Sequence, residues 1–105
     1  MTTKLLNLTA HQINIQGFPP IEVSGFVVRV HTHLHQASSV NGIPVFVRSG
    51  ETIVNLPSEQ EGVMYIVTSY VREALPERKD LLSPTKFIRD ERGAVIGCSA
   101  LEGNK

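Results

Sequence analysis

A chain of 105 residues is long enough for a single domain, 1–105, and too short for two. Ten basic and ten acidic residues cancel, which removes the long-range attraction for phosphate backbones that general nucleic-acid binding needs. No apolar run is long enough to span a membrane, no signal-peptide pattern opens the chain, and one cysteine excludes an intrachain disulfide, so a cytoplasmic setting is expected.

Residues 5–15 read as a strand, or as two strand pieces meeting near Thr9. Gly17, Pro19 and Pro20 then force a turn or an extended linker. Residues 26–35 alternate cleanly. Phe26, Val28, Val30, Thr32 and Leu34 share one face, and Val27, Arg29, His31, His33 and His35 the other, predicting a half-buried antiparallel strand. The polar stretch 36–42 ends in Asn41-Gly42, a hairpin turn signal. Residues 43–47 are its partner strand, with Pro44 pointing to an edge. Residues 51–56 form another short strand.

Residues 63–67 are apolar without alternation, as in a strand covered on both faces. Thr68 or Ser69 then caps a short helix that buries Val71, Ala74 and Leu75 and stops at Pro76. Further strands are expected at 80–82, 85–89 and 94–98, the last two joined by a loop in which Gly93 takes the left-handed position. Residues 102–105 read as frayed. The resulting class is α+β: a mainly antiparallel or mixed sheet of five to seven short strands with one short helix packed on it.

The helix start is the leading anion site. Free backbone N–H groups at Thr68 and Ser69 favour a phosphate, Arg72 and Arg78 supply charge, and Tyr65 or Tyr70 offers a ring for a base. An ordinary cap with solvated cations is the plainer account of the same residues. Asn7, Thr9 and His11 share one strand parity and either line a pocket or, for the first two, bond local backbone at a turn. His31, His33 and His35 share one strand face. That spacing suits two ligands to one metal ion, but the set lacks a fourth, which His11 or Glu51 would have to provide. A solvated polar face accounts for the run, and neither a metal nor a cofactor is expected. Cys98, beside Gly97 among apolar residues, reads as an inert buried thiol.

Several stretches carry a resemblance. They are Asn7-Leu8-Thr9-Ala10-His11, Gly42-Ile43-Pro44-Val45, the run from Glu61 to Thr68, and Arg89-Asp90-Glu91-Arg92-Gly93-Ala94-Val95-Ile96-Gly97-Cys98. Together, over about half of the chain, they resemble small proteins of bacteriophages and prophages, with Ala10 in place of that pattern's proline. The resemblance implies a phage context, hence the host cytoplasm, and carries no catalytic assignment. The expected function is non-enzymatic: a homo-oligomer that sequesters a small phosphorylated ligand, such as a cyclic nucleotide or ADP-ribose derivative, to counter host defence. The alternatives are an interaction protein that binds a host protein and a metal-dependent enzyme using the histidine run.

Overall fold

The structure is a computed structural model that describes residues 3–105, apart from the side chains of Ser49 and Glu51. Its elements in chain order are β1 (Lys4–Asn7), β2 (Arg29–Val40), β3 (Ile43–Val54), β4 (Val63–Ile66), α1 (Ser69–Ala74), β5 (Leu81–Arg89) and β6 (Val95–Gly103). A four-stranded mixed sheet has the order β1-β4-β5-β6, with β1, β4 and β5 mutually parallel and β6 antiparallel to β5. Strands β2 and β3 pair only with each other. The class expected from sequence, a mixed sheet of short strands with one short helix packed on it, is what the chain adopts, although six strands divide into two sheets.

The centre of the body is β4. Tyr65, Ile66 and Val67 are fully buried, as an apolar run without alternation requires of a strand covered on both faces. Successive side chains point to opposite sides. Tyr65 and Val67 join Leu8, Val28, Val71 and Leu81 in a core beneath α1. Ile66 joins Ile13 and Cys98 on the other side, with Ile15, Ile21 and Leu101 packed around them. That second face is covered mainly by a loop, in which Ile13 bridges Ile21 and Ile15 bridges Cys98.

The hairpin is unlike the body. Each of its strands has twelve residues, against four to nine in the sheet. Only its base is anchored, through Val30 and Ile53 packed on the core that contains Val71. Beyond that point it projects as an arm. The radius of gyration is 17.0 Å, where a compact chain of this size has about 13 Å.

Several expected boundaries change. Of the two readings of 5–15 the chain takes the second, two pieces meeting near Thr9, where the Asn7 side chain turns the backbone. Strand β2 starts at Arg29 and runs on to Val40, leaving Phe26 exposed and Leu34 out on the arm. Of the predicted inward face of 26–35, burial therefore holds only at Val28, Val30 and Thr32. The separate strands expected at 43–47 and 51–56 are one strand, β3, kinked where Gly50 (φ 70°) bulges and the register passes from Thr32 opposite Glu51 to His33 opposite Ser49. Likewise 80–82 and 85–89 merge into β5, which bends at Lys86 (φ 51°). The Asn41-Gly42 turn is as expected, with φ of 52° and 80°, the left-handed pair that a two-residue hairpin turn needs.

The C-terminal residues are not frayed. Glu102 pairs with Ser83 in β6, and the Asn104 amide donates to the carbonyls of Arg72, Leu75 and Arg78. It thereby satisfies the open end of α1, whose last carbonyls have no partner within the helix.

Candidate functional site

Thr68 is the cap of α1. Its backbone is extended (φ −70°, ψ 156°) and its hydroxyl accepts from the Val71 N–H at 3.4 Å. Ser69 is exposed as the first helical residue. The helix has only six residues, so little dipole accumulates at its start.

The two arginines assigned to that site lie elsewhere. Arg72 is 5% exposed and points inward with Val71. Its Nε donates to Ser83 Oγ at 2.8 Å and Nη1 to Asn104 Oδ1 at 3.0 Å. Nη2 lies 3.3 Å from the Glu102 carboxylate and 3.7 Å from that of Glu73. One guanidinium thus ties α1 to β5 and to the chain end, and its donors are spent on protein groups. Arg78 grips Asp80 with two parallel bonds, Nε to Oδ1 at 2.9 Å and Nη2 to Oδ2 at 2.8 Å. Nη2 also donates to the Pro57 carbonyl at 2.9 Å, and Glu59 lies 3.5 Å from Nε. The expectation that Arg72 or Arg78 neutralises a bound anion is corrected accordingly, since both are structural cations.

Hydrogen bonding from Arg78 holds the Asp80 carboxyl below its ordinary range, and the same bond raises the Arg78 pKa. The sign of the pH effect follows. A folded-state pKa below the unfolded one stabilises the fold above the unfolded value, 3.8, and that contribution disappears as pH falls through the folded value. We expect Asp80→Asn to lower stability at neutral pH and to flatten the loss of stability below about pH 4. Urea titrations of both proteins across that range check this, and parallel acid limbs would contradict it.

The aromatic candidates separate. Tyr65 is buried in the core, with its hydroxyl donating to the Ser58 carbonyl at 3.1 Å, so its ring cannot stack on a ligand. Tyr70 is half exposed and lines a cleft of about 320 Å³ with Val30, Thr32 and Arg48, between the arm base and the helix. Arg48 Nη1 donates to Thr32 Oγ1 there at 2.8 Å. Sequence reasoning passed over Arg48, because nothing in its neighbourhood marks it until the hairpin register sets it opposite Leu34.

Asn7 and Thr9 take the local-backbone role. Buried Asn7 donates to the His11 carbonyl at 2.8 Å and the Ile21 carbonyl at 3.2 Å, while its Oδ1 accepts from the N–H and hydroxyl of Thr9 at 2.9 and 2.6 Å. Of that trio only His11 lines a groove, one of about 360 Å³ that reaches Phe87, Val95 and Ile96. His31, His33 and His35 stand exposed along one face of β2, as alternation predicts. Among the described residues no three His, Cys, Asp or Glu come together to hold a metal ion. Cys98 is buried, as expected.

Two apolar surfaces remain. On the arm, Leu34, Val40, Ile43, Phe46 and Val47 are 42–64% exposed, and they occupy both faces: Phe46 opposes Gln36 on the Leu34 side, and Val47 opposes His35 on the other. On the loop-covered face of the sheet, an open groove of about 670 Å³ runs between Leu5, Ile15, Phe18, Pro20, Ile21 and Leu101. No helix among the described residues is long and apolar enough to cross a membrane. Comparison of the chain with family models, curated proteins and solved structures gave no match.

Proposed function

We propose that the chain is a non-catalytic binding protein that works by presenting its hairpin arm to another protein chain. The carrying observation is the arm itself, a two-stranded ribbon with large apolar side chains exposed on both faces. A lone two-stranded hairpin is at best marginally stable in water, and its open outer edges and apolar faces gain most from a covering surface. A phage setting, implied by the resemblance of the Asn7–His11 and Arg89–Cys98 stretches, suits a small protein that acts by contact.

Sequestration of a small phosphorylated ligand is the second reading, now centred away from Arg72 and Arg78. It is favoured by the guanidinium of Arg48 and the ring of Tyr70 in one cleft, the pair of groups that charge neutralisation and base stacking require.

Native mass spectrometry of protein purified from cells separates the two. The arm reading expects wild type to carry a protein subunit, of its own kind or another, and the variant Ile43→Asp/Phe46→Asp to fly as a bare monomer. A bare wild-type monomer with a nucleotide-sized adduct, lost on Tyr70→Ala, would replace the first reading by the second.

A further inference from the structure

We infer that the arm's partner is a second copy of this chain, and that two copies exchange arms, each hairpin tip seating in the other's groove formed by Leu5, Ile15, Phe18, Pro20, Ile21 and Leu101. This rests on the reading of the arm as a contact element.

Four observations lead there. First, the arm cannot fill its own groove. Val30 and Ile53 root it in the core beneath α1, whereas Ile15, Ile21 and Leu101 belong to the cluster on the opposite side of the sheet. An intermolecular seat is what remains for these two surfaces. Second, the reach is right. Strands of twelve residues extend about 40 Å at 3.3 Å per residue, enough to lie across the body of a neighbour, and the long axis of the molecule is 58 Å.

Third, the areas match what a dimer needs. The face of the arm that carries Leu34 and Phe46, 56% and 53% exposed, offers roughly 250 Å² of apolar surface, close to the largest patch of a typical monomer. Set on a groove walled by Phe18 (69% exposed) and Leu5 (37% exposed), one arm removes on the order of 500 Å² from water, and a two-fold repeats it, reaching about 1,000 Å², the threshold of a specific interface. Fourth, symmetry closes the assembly. Arm and groove lie on the same chain, so a two-fold satisfies both copies and leaves neither surface open. The zero net charge adds no repulsion between identical subunits.

The test uses two variants at exposed positions, Phe46→Asp on the arm and Phe18→Asp on the groove. Sedimentation equilibrium is expected to give a wild-type dimer. Each variant alone should be weakened by more than about thirtyfold, the loss for a residue at the centre of an interface. An equimolar mixture should recover dimer, because a mixed pair keeps one intact arm and one intact groove facing each other. The unfolding midpoint is read on every variant, and Phe46→Ser and Phe18→Ser serve if an aspartate lowers it. A groove variant that dimerises like wild type, a mixture no better than its parts, or a monomeric wild type each overturns the exchange. A monomeric chain that holds a different protein through its arm overturns the exchange while leaving the proposed function standing.

Discussion

Arg72→Ala is expected to lower the unfolding free energy by about 3 kcal/mol, which combines the loss of hydrogen bonds from a charged donor with the cost of stranding a buried acceptor. Ser83 is fully buried and its hydroxyl accepts from Arg72 Nε, so it is left without that bond when the guanidinium goes. The carboxylates of Glu73 and Glu102 are largely in water and lose little. Arg72→Met keeps most of the packing and should cost less than alanine. Adding Ser83→Ala to Arg72→Met should return part of that loss, since both ends of the bond are then apolar. Urea unfolding of wild type, Arg72→Met, Ser83→Ala and the double variant measures the cycle, with Arg72→Ala beside them. A cost for Arg72→Ala below about 0.5 kcal/mol, typical of exposed positions, would return Arg72 to the list of cations available for an anionic ligand.

Leu81→Ala should cost about 4 kcal/mol, within the range for truncating a buried leucine in a site that cannot collapse. Leu81 is fully buried, registers beside Tyr65 in the sheet and shares its core with Val71. Domains hold only about 5–15 kcal/mol in total, so the midpoint should move far toward zero denaturant with little change in slope. Leu34→Ala, at a position 56% exposed, is the control and should stay within about 0.5 kcal/mol in the monomer. Equal effects at the two leucines would mean the core had been placed wrongly.

The body of the fold was legible where one local signal sufficed. The unalternating run 63–67 marked the central strand, Thr68 or Ser69 marked the helix start, and Asn41-Gly42 marked the hairpin turn, each through backbone or burial chemistry confined to a few residues. The arm was not legible in the same way. Alternation in 26–35 says that one face is apolar but not that a body lies against it. The break expected between 47 and 51 is instead a bulge at Gly50, and a bulge and a strand end share the same glycine signal. Only in the structure do two twelve-residue strands appear, longer than any strand of the sheet, so that part of the ribbon has to project.

The binding residues failed for a different reason. A charged side chain beside Val71 reads as solvent-facing, and what draws Arg72 inward comes from Ser83 and Asn104, eleven and thirty-two residues away. Arg78 was read as a cation at a helix end, without weighing Asp80 two residues on as its partner. For Asn7 and Thr9 both a pocket and a backbone role were legible, the second because its partners are local, and the structure takes the second.

The arm also bears on how the chain reaches its fold. Strand β1 pairs in parallel with β4, Lys4 facing Val63, which closes a loop of roughly sixty residues before any contact in that pair is gained. The hairpin lies inside that loop and can form alone within microseconds. Once Arg29 and Val54 are side by side, the ribbon short-circuits the path between β1 and β4 and cuts the flexible length by about half, worth roughly 0.6 kcal/mol of closure entropy. A ribbon that adds little to the finished core therefore shortens the search by which the parallel strands find each other.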